Sequence, residues 1–169
     1  NLVKKNEELR GRCDSFVVET DVHYPTDINL LFDAMRKVIA LLAGVCDRLV
    51  LSTWRQSAYN LRKLKRLYRK AQSLKRSKAK KREKVEERKK RIAKAHREYT
   101  DSAEAYLEKA QGTLEFLLAT NRLNVITYDT IKYYIRHAVR QIDQIRRRVL
   151  EGEKIPHTEK VFSIFEEHT

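Results

Sequence analysis

The sequence predicts a mainly α protein, with long helices forming a bundle or a hairpin and one or two short strands at its edges. Three observations predict it. Lys, Arg, Leu, Ala and Glu dominate a chain of 169 residues that is 36% charged, which is the makeup of long helices. Only 4 Gly and 2 Pro are present, too few turn formers for a many-stranded sandwich or barrel. Over most of the chain, apolar residues recur at steps of three and four, the helical period.

In chain order, Gly11 breaks a short polar stretch, and Cys13 to Val22 is rich in β-formers and reads as a buried strand. Pro25 disfavours helix at Tyr24, and Thr26 or Asp27 can cap the helix that follows. That first helix is expected from about Ile28 to Leu51, with Leu31, Ala34, Met35, Val38, Leu41, Leu42, Val45 and Leu49 facing a core. A second begins near Trp54 and carries Ala58, Leu61, Leu64, Tyr68 and Ala71 on one side. It runs into a basic tract in which apolar residues thin out. If residues 60–97 were one helix it would extend about 57 Å, at about 1.5 Å per residue. A break near Ser73 or Ser77, giving two arms of a hairpin, fits equally well.

Periodicity returns from Tyr99 to Leu118 through Ala103, Tyr106, Ala110, Leu114 and Leu117, and Asn121 and Asn124 mark a turn. The last helix is expected over Tyr128–Leu150. Its residues Tyr128, Ile131, Ile135, Ala138, Ile142, Ile145 and Val149 form a coiled-coil-like seam. Gly152 stands where a helix stop prefers it. After Pro156, Lys160 to Phe165 alternates and reads as a second strand. The expected organisation is a first strand region over 1–27, a helical segment over 28–155 with a basic arm at 60–97, and a closing strand region over 156–169.

Composition narrows the function classes. The formal net charge is +14, and it is concentrated. Residues 60–97 hold 19 Lys or Arg against Glu83, Glu86 and Glu87, so this tract carries about +16 and the remainder is slightly acidic. A merely soluble helix mixes both signs, whereas residues 61–82 contain twelve Lys or Arg and no acid. The tract is expected to contact a polyanion, nucleic acid first. The candidate contacts are Arg62, Lys65, Arg66, Arg69 and Lys70, then Lys75, Arg76, Lys80, Lys81 and Arg82, and finally Arg88, Lys89 and Arg91. A membrane surface would call for a Trp/Phe/Leu face that residues 75–98 lack. No apolar run is long enough to span a bilayer.

No glycine-rich phosphate loop occurs, which argues against a nucleotide-binding enzyme, and no small-molecule substrate is expected. The five histidines show no zinc-ligand spacing with the cysteines. Cys13 and Cys46 fit unpaired core thiols in a reducing, cytosolic compartment. Trp54 and the tyrosines Tyr59, Tyr128, Tyr133 and Tyr134 lie at helical spacing and are expected mostly in the core, while Tyr59 or Tyr68 beside the basic run could stack on a base. The site-like feature is acidic: Asp14, Glu19, Asp21, His23, Asp27 and Asp33 lie within twenty residues. A carboxylate in an apolar strand is costly to bury unpaired, and it is tolerated beside a cation such as Mg²⁺ or beside Arg10 or Arg12.

The stretch DSFVVETDVHYPTDINLLFDAMRKVI, Asp14 to Ile39, resembles the opening of the catalytic domain of bacterial insertion-sequence transposases of the DDE type. The closing KVFSIFEEHT, Lys160 to Thr169, resembles the strand at which that domain resumes after a helical insertion. Together these segments cover 36 residues, and the PTD-x-x-LL element is the most specific part. The resemblance implies an incomplete RNase H-like sheet interrupted by an all-helical insertion. It places Asp14 as the first catalytic acid and Mg²⁺ ligand, with Asp21, His23 and Asp27 as candidates to support it. It implies metal-dependent strand transfer on DNA, a bacterial cytoplasmic setting and a homodimer. The second aspartate and the final glutamate of the family have no counterpart before Thr169, so the chain is expected to be a fragment, inactive alone. The alternative reading is a non-catalytic helical module that binds nucleic acid or pairs helices through the Tyr128–Val149 seam.

Overall fold

The computed structural model describes residues 26–76, 82–159 and 164. Four helices account for most of them: α1 (Asp27–Arg48), α2 (Ser57–Arg76), α3 (Arg82–Ala119) and α4 (Val125–Ile145). A π-helical turn, Arg146–Glu151, extends α4, and a 3-10 turn, His157–Glu159, follows.

Local chemistry sets the helix ends. Thr26 is extended, and its carbonyl accepts from the amides of Asn29 and Leu30 at 2.8 and 3.0 Å. Asp27 then sits in the first turn, where the helix dipole favours an acid. Asn124 caps α4 through its side chain, which accepts from the amide of Thr127 at 2.8 Å. Asn121 takes φ 52° in the preceding turn, a left-handed conformation that Asn tolerates. Gly152 stops the π turn at φ 75°.

Cross-helix bonds give the directions. Tyr68, late in α2, donates to Asn29 Oδ1 at the start of α1 (2.8 Å). Trp54 to Thr113 (3.1 Å), Tyr106 to Asn60 (3.4 Å) and Lys70 to Glu98 (2.7 Å) rise along one chain segment while falling along the other. Hence α2 and α3 are antiparallel. Tyr99 donates to the carbonyl of Ile28 at 3.1 Å, setting the middle of α3 beside the start of α1. Arg148, beyond the end of α4, pairs with Asp27 at 2.5 Å. The four helices therefore run up, down, up, down.

The core is the shared interior of these helices. Leu31, Met35, Val38, Ile39 and Leu42 of α1 are fully buried, as are Leu64, Tyr99, Ala103, Leu117, Ile131 and Ala138. Each large apolar side chain so buried contributes about 1.5–3 kcal/mol. The expected seam of α4 is buried within this same bundle, from Ile131 through Ile135, Ala138 and Ile142 to Ile145.

The mainly α reading holds, and the structure refines its boundaries. The basic tract is not one helix: α2 continues past Ser73 to Arg76, and α3 starts at Arg82. The α3 helix begins well before Tyr99, and its residues 82–98 carry only a sparse inward row, Val85, Ile92 and Ala95. Trp54 does not open α2. It sits in the turn before Ser57, with its indole inside the bundle. Cys46 is a buried thiol, pushed above its usual pKa by that burial. Tyr59, expected mostly in the core, is instead exposed. The first expected strand, Cys13 to Val22, lies outside the described residues. Of the second, only Ile164 is described, fully buried in a bend, and no strand occurs among the described residues. No helix among them is long and apolar enough to cross a membrane.

Candidate nucleic-acid interface

At the level of Asn29, Tyr68, Tyr99 and Arg148, α1 and α4 end, while α2 and α3 continue. Residues 82–98 of α3 extend about 25 Å past this level, at about 1.5 Å per residue. The result is a projecting two-helix arm. Its root lies where the chain enters α1 and leaves the α4 extension.

Helical geometry sorts the cations of α2. Leu64, Tyr68 and Ala71 face the core. Arg62, Lys65 and Arg69 follow a three-and-four spacing along the side toward α1, and Arg66 lies in the same stripe. All four are exposed and, among the described residues, none is in an ion pair. Lys70 points the other way. It bonds Glu98 of α3 at 2.7 Å, which holds that carboxyl below the usual range.

On α3, Lys84, Lys90, Lys94 and Arg97 are exposed beside Lys89 and Arg91. Lys89 bonds Glu86 at 2.8 Å, holding its carboxyl below the usual range, and Arg91 bonds Glu87. Exposed pairs of this kind are worth about 0–1 kcal/mol, so a phosphate competes readily for either cation. Lys75 and Arg76 close α2 and Arg82 opens α3, whereas Lys80 and Lys81 lie outside the described residues.

A groove of about 750 Å³ separates α1 from α2. Arg62, Lys65 and Arg69 line one side, and Asp33 and Arg36 of α1 the other, with Arg36 Nη2 3.4 Å from Asp33 Oδ1. Its floor holds Phe32, Leu61 and Tyr68, and the Phe32 and Tyr68 rings stack with centroids 5.0 Å apart. Tyr68 is buried on the apolar side of α2, as its spacing with Leu61, Leu64 and Ala71 predicts, rather than open to stack on a base, and its hydroxyl also accepts from Gln72 at 3.0 Å. Sequence reasoning missed Arg36. Its place beside the α2 cations comes from helix packing, and no local spacing announces it.

The acidic candidates fall differently. Asp14, Asp21 and His23 lie outside the described residues. Asp27 is held by Arg148 and is only 15% exposed. Among the described residues no three His, Cys, Asp or Glu side chains gather where they could hold a metal ion. The Mg²⁺ expectation rests on Asp14, which lies outside the described residues. No protein-family model, curated protein or solved structure matches the chain.

Proposed function

We propose that this chain is part of a DDE-type insertion-sequence transposase, with the four-helix segment as an insertion in its RNase H-like catalytic domain that grips DNA. The observation that carries the reading is the arm: lysine- and arginine-rich along both helices, with its acids confined to α3, and extended past the bundle. Such a surface neutralises phosphates and fixes position without reading sequence. A second feature supports the insertion. Asp27 and Arg148 stand at opposite ends of the helical segment in sequence and touch in space, so a host domain can receive the segment at one point of its surface.

In this reading Asp14 supplies the first carboxylate to Mg²⁺. Bound metal ions would activate a nucleophilic oxygen and stabilise the leaving one in phosphodiester chemistry. The arm's part is binding alone. A homodimer rests on the family resemblance, since the α4 seam is buried inside the bundle.

The arm is tested by duplex DNA binding against salt. About six phosphate contacts give a log–log slope near −5, and each contact removed by Lys90→Glu or Lys94→Glu lowers its magnitude by about 0.9. A flat salt response would end the DNA-clamp reading and favour a non-catalytic helix-pairing module. In a full-length protein, Asp14→Asn should abolish strand transfer and spare DNA binding. Surviving strand transfer would remove the metal role of Asp14.

A further inference from the structure

The α1–α2 groove differs in kind from the arm beside it. The arm presents exposed cations, Lys84, Lys90, Lys94 and Arg97 among them, with no exposed aromatic ring between them. The groove is concave, with cations along its α2 rim, the loosely paired Arg36 and Asp33 on its α1 rim, and an apolar floor. Arg36 rims it from α1, and Arg62, Lys65 and Arg69 rim it from α2. Phe32, Leu61 and the stacked Phe32–Tyr68 pair form the base.

Duplex DNA turns its sugar–phosphate backbone outward and gives an aromatic floor nothing to stack on. A strand with unpaired bases offers both chemistries together, phosphates for the rims and a flat base for the ring below. At about 750 Å³ the space suits a nucleotide unit. We propose that the groove between α1 and α2 binds single-stranded nucleic acid, its phosphates held by Arg36, Arg62, Lys65 and Arg69 and a base laid against Phe32. The inference rests on the chain being a nucleic-acid binder, and it adds a second, strand-selective site to the arm.

Phe32 and Arg36 separate the two sites, because both lie on α1, away from the arm. The full chain is titrated into fluorescein-labelled oligo(dT) and into a duplex of equal length. Phe32→Leu keeps an apolar side chain, and Arg36→Glu changes an exposed one. Each should weaken oligo(dT) binding at least about fivefold and leave duplex binding within about twofold. Melting curves matching the parent chain establish that both variants fold.

Unchanged oligo(dT) affinity in both variants, or equal losses on both probes, would overturn the proposal. Displacement of oligo(dT) by thymidine monophosphate at equal nucleotide concentration would also overturn it, by assigning the groove to a free nucleotide. A parent chain that binds oligo(dT) but no duplex would sink the clamp and leave the groove. One that binds duplex but no oligo(dT) would do the reverse.

Discussion

Asp27 and Arg148 form an ion pair at 2.5 Å that joins the first turn of α1 to the π turn after α4. The aspartate is 15% and the arginine 34% exposed, so water screens the contact only in part. Arg148→Met leaves the carboxylate without its partner, although the N-terminus of α1 still favours negative charge. We expect a loss of about 1–2 kcal/mol in urea unfolding. A double-mutant cycle with Asp27→Asn should return a coupling of similar size. Coupling near zero would show that apolar packing alone brings the two ends together.

Val50 offers a gain. It follows α1 at φ 55°, a left-handed conformation unfavourable for a β-branched residue, while the amide of Leu51 reaches back to the carbonyl of Cys46 at 2.8 Å. Its side chain is 92% exposed, so almost no packing is lost on removal. Val50→Gly should stabilise the fold by about 1 kcal/mol, net of the extra freedom glycine brings to the unfolded chain. In a thermal melt this is a rise of about 2–4 °C. A fall in Tm would mean that the valine has a packing partner.

Trp54 is the chain's one tryptophan, is almost fully buried, and donates its indole N–H to Thr113 Oγ1 at 3.1 Å. Thr113 donates in turn to the carbonyl of Lys109 at 2.8 Å. Thr113→Val keeps the shape and deprives the indole of its acceptor. The expected cost is about 1–3 kcal/mol, read from the denaturation midpoint followed by tryptophan fluorescence. A cost below about 0.5 kcal/mol would show that water replaces the hydroxyl.

His137 makes stability depend on pH. Burial lowers its pKa, helped by Arg140 and Arg136, and its Nδ1 is buried without a hydrogen-bond partner. The folded state therefore takes up a proton less readily than the unfolded state, whose histidine titrates near about 6.5. The contribution is full above that value and declines as pH falls through it toward the lower folded pKa. Denaturation at pH 7.5 and pH 5.5 should show a drop in the parent chain that is smaller in His137→Gln. An equal drop in both would place the sensitivity elsewhere.

The parts of this structure that were legible in the sequence are those in which apolar residues meet a core. The stripe of α1 and the seam of α4 read correctly because Leu31 through Val45 and Ile131 through Ile145 repeat at the helical period. The outer arm did not. Residues 82–94 bury few side chains, so the pattern is silent and the hairpin competed evenly with a single long helix. Trp54 is in the core as its type predicts, and the helix expected to begin near it starts three residues later, at Ser57, because a turn carries the indole inward. At the interface, the concentration of charge was visible, but the division of labour was not. Lys70 is tied to Glu98, twenty-eight positions away, and Arg36 joins the α2 cations across a helix boundary. Both relationships belong to tertiary packing.

The pairing at the arm's root also sets how its reach can vary. Arrival and departure of the helical segment are pinned at one spot, Asp27 against Arg148, which lies below the hairpin's outer turns. Adding matched turns to α2 and α3 would carry the outermost charges about 5.4 Å farther per turn and leave the pinned spot where it is. Among the described residues, span is thus a dimension that can change while the four-helix base holds still.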